Sequence, residues 1–403
     1  MDTRPTAGDA RAPPRRLELA DVVRAHGAAA CAGRRLAPVQ YRALRAIAAC
    51  RTPALGGQLA QCDACGAVRY LYHSCRNRHC PKCQTLARER WLAARRRELL
   101  PVPYFHLVFT LPHELNPLVQ AQPAALYGML FAAVSATLLE FGANARWLGG
   151  EIAATLVLHT WGQNLNQHVH LHCLVAAGAL HPDGHWIHAR RGFLFPVQAL
   201  SRVFRGKFVH ALEHAFAHGT LPLAQGDTTA AGAPQQLLGA LHARPWVVYA
   251  KRAFGGPEQV LDYLGRYTHR VAISNDRLLS CDEARVRFRY RDYSHGNRRR
   301  VMCLEPTEFL RRFLLHVLPK GFMRIRHYGL LANHGKCSKL TRARQALATP
   351  APAPAPAAPA KTETLGAFWL RVARIDIERC PHCTAGRMRI ISRLAAIPIP
   401  VPP

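Results

Sequence analysis

Three histidines alternate with apolar residues in the segment 167–176, QHVHLHCLVA. In an extended strand, His168, His170 and His172 would share one face. Neutral imidazole is the commonest histidine form in metal sites, and strand spacing aims neighbouring rings at a single ion. We therefore predict a divalent-metal site with His170 and His172 as ligands. The alternative is a surface strand that merely carries several histidines.

A pair of tyrosines could supply a nucleophile. Tyr263 and Tyr267 are four residues apart in a segment with helical spacing, so a helix would present both hydroxyls on one face. Such pairs also occur in ordinary helix cores. Combined with a metal site and a basic chain, the pair predicts phosphodiester transfer that forms a covalent 5′-phosphotyrosine and a free 3′-OH.

The cysteines point to structural zinc. Cys62 and Cys65 form one CxxC pair, and a second pair at Cys80 and Cys83 suits a single tetrahedral four-cysteine site. Other side chains within reach of that site are Cys75 as an alternative ligand, His73 and His79. A further pair near the C-terminus, Cys380 and Cys383, predicts a second zinc knuckle, for which the candidate partners are Cys337, His334 and His382.

The charge balance predicts a polyanionic partner. The 403 residues include 54 Lys+Arg against 24 Asp+Glu, a net charge of +30, which favours nucleic acid over a membrane surface. Candidate DNA contacts lie beside the cysteine pairs and in an alternating arginine hairpin: Arg76, Arg78, Lys82, Arg285, Arg287 and Arg289. The alternative is a solvated basic surface. Paired cysteines without a secretory signal place the expected location in a reducing cytoplasm.

The elements that must position these residues suggest an α+β fold. Strand, helix, strand, strand, helix and strand follow one another from residue 104 to about 252, which is the order of a ferredoxin-like antiparallel sheet. A helix over 257–267 would carry the tyrosines. The predicted divisions are a disordered segment 1–16, a helical and zinc-ribbon DNA-binding domain 17–100, a catalytic domain 101–345, an Ala/Pro linker 346–362 and a C-terminal tail 363–403.

The motifs together resemble those of the two-tyrosine rolling-circle transposases of bacterial insertion sequences, members of the HUH endonuclease superfamily. The resemblance runs from about residue 48 to 329 and rests on CRNRHCPKCQ, YFHLVFTLPHEL, WGQNLNQHVHLHCLV, FLFPVQALSRVFRGKF, YLGRYTHRVAISN and FRYRDY. It implies a zinc-binding N-terminal domain, an HUH motif at residues 170–172 and Mg²⁺ or Mn²⁺ at the catalytic site. It also implies that Tyr263 and Tyr267 attack single-stranded element ends, with target DNA as a second substrate.

The resemblance leaves the third ligand of the catalytic metal open between His168 and Gln163. The sequence departs from the family pattern in HVHLH, where a proline is expected between the first two histidines. The oligomeric state stays open as well.

Other functions fit parts of the same sequence. A rolling-circle replication initiator or relaxase would use the same nicking chemistry, and a non-catalytic zinc-dependent DNA-binding protein would need neither tyrosine. An amidohydrolase also carries an HxH strand, but its fold needs eight βα units and further ligands that the sequence lacks. An acidic-triad transposase is disfavoured because acidic residues are few.

Overall fold

The computed structural model describes residues 16–190, 192–221, 233–254, 259–260, 263, 265, 271–292, 296–348 and 363–397. The helices are α1 (Leu19–Cys31), α2 (Pro38–Ala49), α3 (Gln84–Arg96), α4 (Asn116–Ala121), α5 (Pro123–Ala143), α6 (Val197–Ala217), α7 (Ala233–Ala243), α8 (Pro306–Leu314), α9 (Lys336–Ala346) and α10 (Leu365–Ala373). The strands are β1 (Gly57–Cys62), β2 (Val68–Tyr72), β3 (Tyr104–Thr110), β4 (Glu151–Trp161), β5 (Gln167–Leu180), β6 (Trp186–His188), β7 (Val248–Phe254), β8 (Leu278–Cys281), β9 (Val286–Asp292), β10 (Arg298–Leu304), β11 (Ile325–Gly329) and β12 (Met388–Leu394).

The largest sheet has the strand order β11-β4-β5-β3-β7, and every neighbouring pair is antiparallel. In chain order its central part runs β3, α5, β4, β5, α6, β7, as the sequence pattern predicted. The order of those four strands in space is β4-β5-β3-β7, so the first and third strands lie at the centre. The added strand β11, which sequence reasoning missed, covers the outer side of β4.

One face of this sheet forms the main core. Leu171 of β5 and Phe109 of β3 are fully buried there with side chains of α5 and α6, such as Phe131 and Phe204. Both helices therefore lie on the same face, because both contribute to one apolar cluster. By length and composition alone, helix α5 could span a membrane, but its apolar side chains are packed in this core.

The opposite face of the sheet carries the histidines. Strand alternation sends His170 and His172 away from the α5–α6 layer, since their neighbour Leu171 points into it. One end of this face is covered by a smaller core in which Leu92 of α3 packs near Tyr104, Leu174 and Val260. The predicted helix over 257–267 is described at residues 259, 260, 263 and 265, and each of these is helical.

The N-terminal helices do not form a core of their own. Leu19, Val22 and Ile47 of α1 and α2 share one apolar cluster with Phe288 of β9 and Phe309 of α8. The predicted boundary at residue 100 therefore does not separate two cores, because side chains from residues 272–288 and 309–314 pack on the N-terminal helices. Periodicity patterns depend on neighbouring residues, so they cannot show that segments far apart in the sequence pack together.

A third sheet joins the two ends of the chain. Strand β1 lies between β2 and β12, with six paired positions from Gly57 opposite Leu394 to Cys62 opposite Met388. The tail predicted as a separate segment is thus part of the sheet that begins at residue 57. Residues 1–15 and 349–362, predicted as a disordered N-terminus and most of the linker, lie outside the described residues.

Candidate active site and metal centres

The predicted histidine pair is brought together on β5. The Nε2 atoms of His170 and His172 lie 3.2 Å apart. The Nδ1 atom of His170 lies 2.8 Å from the carbonyl oxygen of His168, which can only accept a hydrogen bond. The proton of His170 is therefore on Nδ1, and its Nε2 lone pair faces His172. Two ligands bound to one ion at about 2.1 Å would have a similar separation.

A third imidazole joins the pair from the neighbouring strand. His159 of β4 stands directly opposite His170, and the ligand atoms of His159, His170 and His172 all lie within 4.8 Å of one another. Sequence reasoning missed His159, although the histidine lies within the segment 151–165 that was predicted as a strand. Its position became visible only with the register between β4 and β5.

The two side chains predicted as third ligands are not in this group. The ring of His168 lies beside the rings of His113 and His170, with centroids 5.6 and 4.8 Å away, but its nitrogen atoms are not among the ligand atoms that all lie within 4.8 Å of one another. Gln163 lies in the turn after β4, where its carbonyl oxygen accepts a hydrogen bond from Arg277. The arrangement therefore places His159, rather than either of them, beside the pair.

A further histidine connects the group to the first tyrosine. His106 of β3 lies with its Nε2 atom 2.9 Å from Nδ1 of His172. The hydroxyl oxygen of Tyr263 lies 2.8 Å from Nδ1 of the same ring. The tyrosine is therefore separated from a candidate metal ligand by one imidazole. Tyr267 lies outside the described residues.

Burial keeps two of these imidazoles, those of His170 and His106, neutral. It lowers the pKa of His170 to about 3, and burial together with the nearby Lys251 lowers the pKa of His106 to about 4. A neutral ring retains a lone pair for a cation at physiological pH. The face therefore offers metal ligands rather than a fixed positive charge.

The predicted single cysteine site is wrong as a grouping. Cys80 and Cys83 cluster with Cys50 and Cys75. The sulfur atoms in closest contact within this cluster are 3.6 to 3.7 Å apart. Cys62 and Cys65 lie at the far end of the β1–β2 hairpin, and a strand of this length separates its ends by about 20 Å. The two sequence-adjacent knuckles therefore belong to different clusters, and the alternative ligand Cys75 belongs to the first.

The second knuckle finds its partners in the N-terminal region. Cys380 and Cys383 cluster with Cys62 and Cys65, and neither Cys337, His334 nor His382 is part of that group. In both clusters the sulfur separations match the roughly 3.8 Å expected for tetrahedral zinc thiolates with Zn–S bonds of about 2.3 Å. They are far longer than the roughly 2.05 Å of a disulfide.

The predicted DNA contacts divide into two sets. Arg78 donates to the carbonyl oxygens of Phe322 and Pro319, and Lys82 forms a 2.7 Å ion pair with Glu18, so both are engaged within the protein. The remaining predicted side chains are exposed: Arg76, Arg285, Arg287 and Arg289. The structure therefore leaves this exposed set, rather than Arg78 and Lys82, available to a polyanion.

The exposed set continues across the β9–β10 hairpin. Arg287, Arg289 and Arg291 alternate with the inward-facing Val286 and Phe288. Arg299 of β10 stands opposite Arg291 and extends the same face. This face is a basic surface on a strand pair whose other side is fixed in the second core.

Comparisons with known proteins find two matching families. Residues 153–339 match a family described as a putative transposase, and residues 22–111 match a transposase zinc-binding domain. The first range contains His159, His170 and His172, and the second contains Cys50 to Cys83. Cys380 and Cys383 lie outside both.

Two curated relatives extend the similarity over most of the chain. The putative transposase y4qJ of Sinorhizobium fredii is 48% identical over 381 residues, covering 92% of this chain and 94% of that protein. The transposase for insertion sequence element IS801 of Pseudomonas savastanoi pv. phaseolicola is 30% identical over 321 residues, covering 78% of this chain and 76% of that protein. The chain therefore belongs to the IS91 family of insertion-sequence transposases.

Proposed function

We propose that this transposase nicks and rejoins single-stranded DNA at the ends of its insertion sequence through 5′-phosphotyrosine intermediates, in a rolling-circle type of transposition. The observation that carries the proposal is the contact chain from the hydroxyl of Tyr263 through His106 to His172. It brings a candidate nucleophile within one side chain of a candidate metal group, as metal-assisted phosphoryl transfer requires.

The architecture supports an HUH-type catalytic domain. The order β3, α5, β4, β5, α6, β7, with both helices on one face, is that of a ferredoxin-like layer. The histidine strand β5 is central in it, between β4 and β3. A central strand is held on both sides, so its side chains keep fixed positions relative to the tyrosine.

The three-histidine group fits a divalent ion. His170 and His172 present nitrogen atoms 3.2 Å apart, and His159 lies on the paired strand within reach of both. We assign these three residues as the ligands of Mg²⁺ or Mn²⁺. When bound, the ion would polarise the scissile phosphate and stabilise the departing 3′ oxygen. Because no carboxylate belongs to the group among the described residues, these ligands would leave the full charge of the ion available to the anionic substrate.

His106 is assigned as a positioning residue. A metal ligand bound through Nε2 commonly donates its Nδ1–H to a neighbouring acceptor, and Nε2 of His106 occupies that place for His172. The hydroxyl of Tyr263 lies against the same ring, 2.8 Å from Nδ1 and 3.0 Å from Nε2 of His106. His106 would thus fix the orientation of both the ligand and the nucleophile.

The covalent step assigned to Tyr263 exchanges one phosphodiester for another. Its phenolic oxygen forms a bond to phosphorus, and the bond from phosphorus to the 3′ oxygen breaks. The phenolic proton is released, and the departing oxygen takes up a proton to become a free 3′-OH. Because the bond energy is retained in the phosphotyrosine, that 3′-OH or another can reverse the reaction. Tyr267, one helical turn away in sequence, would carry a second strand.

DNA binding would use the basic face of the β9–β10 hairpin. Its exposed arginines form a row. The inward-facing residues between them, Val286 and Phe288, are uncharged and do not neutralise this row. Guanidinium groups bind phosphates in a bidentate manner, so the row suits a single strand that approaches through its backbone.

Structural zinc in the N-terminal domain is assigned to Cys50, Cys75, Cys80 and Cys83.

A nicking assay tests the proposal. End-labelled single strands from the element's ends, incubated with full-length protein and Mg²⁺ or Mn²⁺, should give a shortened strand and a protein-linked strand on a denaturing gel. Tyr263→Phe and Tyr267→Phe should each impair one transfer, and the double variant should form no covalent product. Tyr70→Phe, which alters an exposed tyrosine on β2, is the matched control.

The outcomes separate the alternatives. Covalent product from the Tyr263→Phe, Tyr267→Phe double variant would refute the assignment of both nucleophiles. Nicking without joining of a second strand would favour a replication initiator or relaxase.

A further inference from the structure

The second cysteine cluster joins the two ends of the chain. The sulfur of Cys62 lies 3.7 Å from that of Cys383, and the sulfur of Cys65 lies 3.7 Å from that of Cys380. All four sulfurs are within 4.8 Å of one another. These separations fit four thiolates around one tetrahedral ion and exclude a disulfide between the pairs.

Backbone amides surround the sulfurs on both sides of the cluster. The N–H groups of Ala64 and Cys65 donate to the sulfur of Cys62, over 3.4 and 3.5 Å. In the tail, the N–H of His382 donates to the sulfur of Cys380, and that of Gly386 donates to the sulfur of Cys383, both over 3.4 Å. Hydrogen bonds to sulfur stabilise the negative charge of a thiolate, so both knuckles have the second layer that metal thiolates need.

The two knuckles approach each other too closely for an ordinary residue at position 386. A Cβ atom on Gly386 would lie 2.5 Å from the sulfur of Cys62 and 2.7 Å from the Cβ of Ala64. Asp63 and Arg387 also bond across the junction, since the Asp63 N–H donates to the Arg387 carbonyl and the Arg387 N–H donates to the Asp63 carboxylate. The two segments, which are distant in the sequence, therefore pack closely against each other at this junction.

Apolar burial is too small to hold the tail in place. Among the described residues 363–397, the buried hydrophobic side chains are Phe368 and Cys380, and most of β12 is exposed. Strand pairing with β1 supplies backbone hydrogen bonds, but a short exposed strand gains little stability from them alone. A small segment of this kind usually needs a metal to fold.

We propose that Cys62, Cys65, Cys380 and Cys383 bind a second structural Zn²⁺, which fastens the C-terminal tail to the N-terminal β1–β2 hairpin. This site is distinct from the Cys50 cluster and unites one knuckle inside the matched zinc-binding domain with one outside it. The ion closes the chain across the alanine–proline segment. The proposal is independent of the nicking chemistry.

Zinc stoichiometry of the full-length protein tests the site. Zinc released by a mercurial reagent, which displaces metal from thiolates, should amount to two ions per wild-type chain, one for each four-cysteine cluster. Cys380→Ser with Cys383→Ser should release one. Cys337→Ser, which changes an exposed cysteine outside both clusters, should still release two. One ion from the wild type, or two from the double variant, would overturn the proposal.

Retention of the tail gives a second readout that does not depend on counting metal. A specific protease site placed in the alanine–proline segment allows the tail to be cut from the folded protein. On size-exclusion chromatography the cut tail should co-elute with the body when zinc is bound, and should separate after chelation or in the Cys380→Ser, Cys383→Ser variant. A tail that separates from the zinc-loaded wild type, or one that stays attached in the double variant, would refute the zinc fastening.

Discussion

The histidine face and the cysteine clusters are both candidate metal centres, but they are assembled over very different distances along the chain. His159, His170 and His172 lie within fourteen positions and come from two paired strands of one sheet. The cysteine clusters join residues as far apart as 33 positions in one case and 321 in the other. The first centre is placed on a fold that has its own core. In the cysteine clusters, by contrast, the ion itself would hold the fold together.

This difference predicts opposite responses to removal of the ligands. Changing Cys80→Ser together with Cys83→Ser should give the largest effect, because Cys50 and Cys80 lie inside the second apolar core. We expect the bound zinc to be absent and the protein to be destabilised by several kcal/mol, since zinc-ligand energy is folding energy. Thermal unfolding by circular dichroism, with zinc analysis of the same samples, would measure it. An unchanged unfolding temperature would mean that the cysteine cluster does not stabilise the fold. The proposed difference between the cysteine and histidine centres would then be wrong.

Changing His170→Ala together with His172→Ala should strongly lower the nicking rate without unfolding the protein. A decrease on the order of 1,000-fold in rate, or about 4 kcal/mol of transition-state stabilisation, is expected from removal of the metal ligands. The thermal unfolding curve and DNA binding by fluorescence anisotropy should stay close to wild type. A variant that neither folds, binds DNA nor nicks would mean that the histidines are structural.

The third ligand can be identified by a paired comparison. His159→Ala should weaken activation by Mn²⁺ roughly 10- to 100-fold, because one of three imidazoles is removed from the group. His168→Ala is the matched control, since His168 is on the same strand face but is not part of the three-histidine group. Titrating nicking rate against Mn²⁺ concentration for both variants provides the measurement. A larger effect at His168 would reverse the assignment.

The bridge between the metal group and the nucleophile predicts a smaller effect. His106→Ala should lower the nicking rate roughly 10-fold, in the range found for residues that orient metal ligands, with little change in DNA affinity. His106→Gln, which keeps a donor and an acceptor, should recover part of the rate. Single-turnover nicking by the two variants would show this, and equal decreases in both would argue that only packing is affected.

The smallest expected effect is at the basic hairpin, which is outside both kinds of centre. Changing Arg287→Ala and Arg289→Ala should weaken binding to single-stranded DNA several-fold and reduce the salt dependence by about 0.7 for each phosphate that is no longer neutralised. Anisotropy titrations over a range of salt concentrations would measure both values. Arg78→Lys serves as a comparison, because the Arg78 side chain contacts Phe322 and Pro319 and should affect stability instead.

The sequence predicted well what depends on neighbouring residues. Strand alternation placed His170 and His172 together, and the hydrophobic patterns gave the order of strands and helices around them. It could not find His159, because that requires the register between two strands. It also misassigned Cys62 and Cys65, since the nearest CxxC along the chain is the simplest partner and nothing in local spacing points to Cys380. The shared core of α1 and α8 was missed for the same reason.

The placement of β12 beside β1 has a consequence for how the protein is made. Residues 57–62 leave the ribosome early, but their partner strand is encoded more than 320 codons later. At about 5 to 20 residues per second, β1 would wait roughly 15 to 60 s with one side unpaired. During that interval the nascent chain would present an open strand to chaperones or to other chains. A premature stop codon before β12 would make that exposure permanent.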